Sequence, residues 1–580
     1  MAAISEPATK LAIIGSGPGA VYALAHLLEA ATPLDIDMFE AGPVAGVGLP
    51  YNARRNSKTM LANIASVELP PVRQTLLDWL TALSPVQRAK LGVEAAMLTE
   101  REFFPRVVLG AYFQSQLAQL VDQAAALGHR VRIRTLTPVL DVAGQPGSVF
   151  VRYRAPGGED CHAVFDIAVV VTGHQAPQRA KRGPQPARPY QSATPTPTDP
   201  QLGILGSSLS AIDIAVAHAD AFGAFTGEPH DLRYVPLNPQ QPPAITMLSR
   251  GGMLPEADFY CPIPYEPLEI FTEQATAACI RKPEGGLDRL FALFSRQLAF
   301  SDPAYAASIE LGAAGVDDFA ARYFKAREAC DPFAWAAANL AEVTANHRDC
   351  VTVAWRYALL RMHERFGELA RCFTPPDLER FNRGIKRCFV DNYAAVPPLS
   401  IARILALRRA GVLDVIALGP AYELSYEPLD AGRNKWTITA RAQHFAFSHL
   451  IDATGQGALA LEDFPFPTLR MQIRAGQAGS SADHGGVSVD EDFELTRTLD
   501  DTSRIYCLSL PFLLRSNPFI QGLTASKTMG KTVAAAIIER ISAPADEQRQ
   551  DLRELIEEVA ATRPIFNITG HAAIPVLQAG

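Results

Sequence analysis

The sequence predicts an α/β protein with two nucleotide-binding units, the second inserted into the first, and an added helical lobe. Three observations carry this prediction. An apolar strand running into a glycine turn and an apolar helix occurs twice, in "LAIIGSGPGAVYALAHLL" (11–28) and "QLGILGSSLSAIDIAVAHADAFG" (201–223). A second pair of apolar strands, "FDIAVVVTG" (165–173) and "SHLIDATGQG" (448–457), ends each time in Thr-Gly. From about 265 to 412 the pattern turns helical, as in "GLDRLFALFSRQLAF" and "PFAWAAANLAEVTANH". The expected order is a first unit over 1–195, a second over 196–430 that carries the helical insertion, and a return to the first over 431–580.

Composition narrows the partners. The 580 residues suit two or three domains. The net charge is −8 and no long Lys/Arg run occurs, which argues against nucleic acid. No apolar run approaches the roughly 20 residues that span a bilayer, and "MAAISEPATK" does not read as a signal peptide. Eight cysteines are scattered without a CxxC pair, which suits reduced thiols in the cytoplasm and gives no metal-ligand or redox-dithiol spacing. Self-association into a homo-oligomer is compatible with all of this.

In order along the chain, "LAIIG" reads as a strand, "AVYALAHLLEAA" as a helix and "LDIDMFE" as the next strand. Gly15, Gly17 and Ala20 form a G-x-G-x-x-A turn. The first glycine permits the tight bend, the second lets a pyrophosphate approach the backbone, and Ala20 lets helix and strand pack closely. The helix N-terminus then offers free N–H groups to phosphate. Glu40 ends the following strand, where a carboxylate accepts from a ribose diol. The proline-rich stretch 174–200 reads as a linker between the units.

The second turn, "GSSLSA", places Gly206, Ser208 and Ala211 at the three key positions, with serine replacing the middle glycine. It reads as a second dinucleotide site or as a nucleotide fold without its ligand. Arg250 follows the strand "AITMLS", where arginine in place of an acid favours a 2′-phosphate and so NADPH. "PFIQGLTASKTMGKTVAAAIIERI" closes the globular pattern as a loop opening an amphipathic helix.

"GSGPGAVYALAHLL", "FEAGPVAGVGLPYN", "MLANIASVELPP", the paired Thr-Gly strands and "PFIQGLTASKTMG" together resemble the FAD/NAD(P)-binding flavoproteins related to class B flavin monooxygenases. The characterised activity associated with the resemblance is L-aspartate N-monooxygenation to nitrosuccinate. The resemblance implies two Rossmann-like domains, the NADPH domain inserted into the FAD domain. Gly15, Ser16, Gly17, Pro18, Gly19, Ala20, Glu40 and Ala41 would then bind the ADP half of FAD. Gly48, Leu61 and Asn63 would pass along the flavin, with Thr172 and Gly173 at the first Thr-Gly and His174 beside them. Gly522, Leu523 and Thr524 would set backbone N–H groups at its pyrimidine edge. Gly206, Ser207, Ser208, Ser210, Ala211, Ser249 and Arg250 would hold NADPH. Asn63 and Arg55 are the expected catalytic residues.

The implied reaction is hydroxylation of a small amino acid's amine by O2, through a flavin C4a-hydroperoxide. Carboxylates on such a substrate call for cationic partners, for which Arg54, Arg55, Lys58 and Arg73 are the candidates, or else solvated loop charges. Two further readings stay open. One is an NAD(P)H-dependent flavin oxidoreductase without oxygen insertion, and the other is a non-catalytic flavin-binding redox sensor.

Overall fold

The computed structural model describes residues 8–175, 184–189, 199–428, 434–477, 486–496 and 504–543. Most of the proline-rich linker and everything after 543 lie outside the described residues.

The first sheet is five-stranded and parallel, ordered Ile505–Cys507, Ile167–Val170, Thr9–Ile14, Leu34–Phe39, Arg130–Arg134. Strands Thr9–Ile14 and Ile167–Val170 end in continuous apolar runs because both faces are covered, whereas Leu34–Phe39 alternates, its buried Asp35 and Asp37 paired with Arg130, Arg132 and Arg134 of the edge strand. Helices Pro18–Leu27, Arg106–Ala126 and Gly522–Ser542 cover one face. A three-stranded antiparallel layer over Val139–Phe165 and helix Pro467–Gln477 cover the other. Helix Gly522–Ser542 crosses Pro18–Leu27 closely; a Cβ on Gly530 would lie 2.8 Å from the Ala23 nitrogen. The last helix of the chain pattern therefore belongs beside the first.

The second sheet repeats the arrangement with four parallel strands, ordered Leu413–Ala417, Ala244–Ser249, Gln201–Leu205, Leu450–Asp452. The repeat extends to single bonds. Gly15 N donates to Phe39 O at 2.9 Å, and Gly206 N donates to Leu248 O at 2.7 Å. A Cβ on Gly15 would meet Val171 O at 2.1 Å, and one on Gly206 would meet Ala453 O at 2.7 Å. In each unit the glycine turn thus presses on the strand that ends in Thr-Gly.

The return to the first sheet comes later than position 431. Strands Asn434–Ala440 and Gln443–Phe447 form an antiparallel layer with Glu423–Pro428, and Trp436, Ile438 and Ala440 pack on Leu205 and Leu248 of the second sheet. Leu450–Asp452 is itself an edge strand of that sheet. Glu423–Pro428, Asn434–Ala440 and Gln443–Phe447 pair antiparallel in that order, so a boundary between the first and second would break their pairing.

Helices from Glu273–Ile280 to Ile385–Tyr393 build the lobe around an aromatic core of Phe294, Phe319, Phe366, Phe381 and Phe389. Two helices of the expected insertion instead serve the second sheet: Pro398–Arg409 is buried against it, and Pro332–Asp349 contributes Phe333, Ala336 and Val343 to the same core. The units are joined by a buried ion pair, Arg106 Nε to Asp213 Oδ2 at 2.9 Å, and by Arg403 Nη1 donating to Thr59 O at 2.8 Å.

Candidate functional site

The first glycine turn has the shape a pyrophosphate requires. Gly15 adopts φ +107°, which side-chain-bearing residues rarely reach. Gly17 caps helix Pro18–Leu27 and faces the Gly48 backbone; a Cβ on Gly17 would lie 3.4 Å from the Gly48 Cα. Gly19 sits over Val171 and Ala20 is fully buried, which gives the close helix–strand packing. Ser16 Oγ donates to Glu40 Oε2 at 2.5 Å, and Gly42 N donates to Oε1 at 2.7 Å, so the Glu40 carboxylate is fixed at the strand end. Ala41 beside it is exposed. A side-chain-free helix start, two facing glycines and an oriented carboxylate fit the ADP half of FAD.

The first Thr-Gly is tied to the returning chain: Thr172 N donates to Ser509 Oγ at 3.0 Å. Gly173 and His174 are exposed beyond it. Helix Gly522–Ser542 opens at Gly522, φ +82°, with no side-chain cap. Leu523 is buried in the core, whereas Thr524 is exposed.

The second turn is knitted to the loop after its neighbouring strand. Ser207 Oγ donates to Met253 O at 2.5 Å and pairs with the Ser249 hydroxyl at 3.0 Å, and Gly252 N donates to Ser249 Oγ at 3.1 Å. Ser208 caps helix Leu209–Phe222 with no side-chain bond and is exposed, Ser210 is half-buried and Ala211 is buried. Arg250 is exposed at the strand end. The free N-terminus and the guanidinium are the groups a 2′-phosphorylated dinucleotide needs; Ser207 and Ser249 are occupied in shaping the turn.

Between the first unit and the helical lobe lies a cavity of about 770 Å³. Asn63, Gln521 and Thr524 line one side, so two segments distant in sequence converge there. The lobe supplies Leu360, His363 and Glu364, and the segment after the second sheet supplies Asp258, Cys261 and Tyr265. Leu61 lies just behind Asn63, buried and bridged to Pro105.

The expected substrate cations do not reach this cavity. Lys58 Nζ donates to Lys90 O at 3.1 Å, and Arg73 Nη1 donates to Gln119 O at 3.2 Å. Arg54 is exposed on its loop, and Arg55 is half-buried outside the lining. No Lys or Arg is found among the described residues that line the cavity. Lys58 and Arg73 are thus bound to backbone carbonyls of neighbouring helices, and Arg54 extends into solvent.

The lining is acidic instead. Burial pushes the Glu68 carboxyl above its usual range. Burial and the neighbouring Glu68 push Asp258 to about 7, against the pull of Arg356 and Arg101. Cys261, also desolvated, is pushed up to about 12 and stays a thiol. Burial pushes the His363 imidazole below its usual range. Sequence reasoning missed these residues because their positions are scattered over the chain and none forms a motif.

The raised Asp258 carboxyl has a consequence for stability. Its folded value lies above the unfolded 3.8, so the folded state holds more protons in between, and stability falls as pH rises through that window. Asp258→Asn is expected to flatten the decline in Tm between pH 5 and 8; parallel wild-type and variant curves would contradict it.

Comparison with known proteins agrees with this architecture. The family of FAD-NAD(P)-binding domains matches residues 12–175, and the YdhS-like middle domain matches residues 272–393, the helical lobe. The Escherichia coli (strain K12) protein YdhS is 40% identical over 550 residues, spanning 94% of this chain and 99% of that protein. Among solved structures, the reduced ornithine hydroxylase PvdA from Pseudomonas aeruginosa aligns with TM-score 0.50 and 14% identity over 92% of this chain and 100% of that one. The L-lysine 6-monooxygenase from Pseudomonas syringae aligns with TM-score 0.48 and 14% identity, over 93% and 100%. At such identities the structural likeness is one of fold. No described helix is long and apolar enough to cross a membrane. The first unit is an FAD-NAD(P)-binding domain, and the chain belongs to the YdhS family.

Proposed function

We propose that the protein is an FAD- and NADPH-dependent monooxygenase that hydroxylates the nitrogen of a small amine. The observation that carries this reading is the convergence of Asn63, Gln521 and Thr524 on the 770 Å³ cavity, whose far wall is the helical lobe. A flavin anchored at the Gly15 turn and running along the Gly48–Asn63 segment would reach this cavity. When bound and reduced by NADPH, it supplies the oxygen-activating chemistry. The protein's part is geometry and exclusion of water.

The uncapped start of helix Gly522–Ser542 offers backbone N–H groups that hold negative charge. Phe259, Ile263, Phe519 and Met529 make much of the cavity wall apolar, which keeps water from the reacting centre. Asn63 presents an amide to the same space, in reach of a substrate's polar groups. Aspartate, the substrate of the resembling activity, would bring two carboxylates into a lining with four of its own: Glu68, Asp258, Glu364 and Glu368. That charge balance disfavours it.

The test is anaerobic reduction followed by oxygen. The purified protein is expected to carry FAD, to be bleached faster by NADPH than by NADH, and on aeration to reoxidise with little free peroxide when an accepted amine is present. Bleaching with no amine-dependent change on aeration would point to a reductase.

A further inference from the structure

We propose that the cleft takes an alkylammonium cation with more than one positive charge, held by Glu68, Asp258 and Asn392. This rests on reading the cleft as the substrate chamber, and it names the substrate class.

Asn392 is 2% exposed and lines the cavity. Its Nδ2 donates to Arg356 O at 3.0 Å, which fixes the amide orientation, and its Oδ1 has no hydrogen-bond partner among the described residues. A buried acceptor of this kind costs free energy until a donor reaches it. An ammonium N–H is such a donor.

Burial raises both carboxyls and the neighbouring Glu68 raises Asp258 further, although Arg101 pulls both the other way and Arg356 pulls Asp258. The guanidiniums are committed elsewhere. Arg101 donates to Cys261 O at 2.9 Å and lies over the Tyr260 ring, and Arg356 donates to Ala257 O at 3.2 Å and stacks on Phe259. The pair is therefore short of positive charge, which a cationic ligand would supply.

Glu364 is bridged to Arg361 and Glu368 to Arg365, each on their own helix, so they add less. The aromatic faces of Tyr265, Tyr393 and Phe519 in the same lining suit the alkyl chain and cation–π contact.

The approach has the same sign. A second cavity of about 520 Å³ shares Phe493 and Asn517 with the first and is lined by Asp490, Glu491 and Asp492 against a single Arg371. These carboxylates are exposed, so they would concentrate cations at the mouth and repel a dicarboxylate. A chain with several ammonium groups can span mouth and interior together.

Isothermal titration of the FAD-loaded full chain with spermidine, and separately with L-aspartate, tests this without NADPH or turnover. Spermidine is expected to bind and L-aspartate to bind at least about tenfold more weakly. Glu68→Gln and Asp258→Asn are each expected to weaken spermidine about tenfold, with the flavin absorbance unchanged. Glu68 is only half-buried, so its variant carries the test if Asp258→Asn fails to fold.

No heat with spermidine, tighter binding of L-aspartate, or a Glu68→Gln protein with unchanged spermidine affinity would each overturn the proposal. A protein that binds spermidine in this way yet never inserts oxygen would refute the monooxygenase reading and leave this inference standing. Oxygenation of an anionic amine, with no spermidine binding, would do the reverse.

Discussion

Gly15→Ala yields a protein that is purified without flavin and is less stable by about 3 kcal/mol or more. The added Cβ would sit 2.1 Å from Val171 O, and the backbone at φ +107° strains any L side chain. Both the strand Ile167–Val170 and the turn would have to move, and the turn is what fits the phosphates. Gly128→Ala is the matched control: φ is +81° but nothing lies within 4 Å of a Cβ there, so only the conformational cost of about 1 kcal/mol remains. Visible absorbance and thermal melting read both. A yellow Gly15→Ala protein melting with the Gly128 variant would contradict the assignment of this turn.

Asp213→Ala destabilises the chain by about 3–5 kcal/mol, because it removes the carboxylate paired with the buried Arg106 guanidinium. The two side chains are 10% and 7% exposed, and they bind the helix Arg106–Ala126 of the first unit to Leu209–Phe222 of the second. Asp213→Asn keeps a hydrogen-bond acceptor for the guanidinium and costs less. Urea midpoints of the three proteins give the order wild type, Asn, Ala. An Ala variant within about 0.5 kcal/mol of wild type would show that the pair does not join the units.

Much of this fold was legible because glycine turns announce themselves. Gly15 and Gly206 need positive φ and close backbone approach, and no other residue meets both needs, so the sequence at those points leaves few alternatives. The helical lobe was visible as periodicity, but periodicity does not say what a helix packs against. Pro398–Arg409 reads like its neighbours yet lies on the second sheet. The expected boundary at 430/431 falls inside the antiparallel strands of 423–447 for the same reason, since strand pairing is a long-range choice.

The site itself was half-legible. Asn63 and Thr524 lie in motifs, and both line the cavity. Proximity in sequence to that segment points to Arg54, Arg55, Lys58 and Arg73, but Lys58 and Arg73 donate to backbone carbonyls, Arg54 is exposed, and none of the four is in the cavity lining. Glu68, Asp258 and Asn392 were invisible because each is an isolated polar residue. Only tertiary packing brings the three to one cavity and leaves Asn392 Oδ1 without a partner among the described residues.

The proposed reaction transfers oxygen to a nitrogen in this cleft. Oxygen uptake with NADPH across a panel of free amino acids, diamines and polyamines, with products weighed by mass spectrometry, tests it most directly. The account predicts uptake that depends on a cationic amine and a product heavier by one oxygen atom, located on nitrogen. NADPH-driven uptake that yields only hydrogen peroxide, whatever the amine, would contradict it.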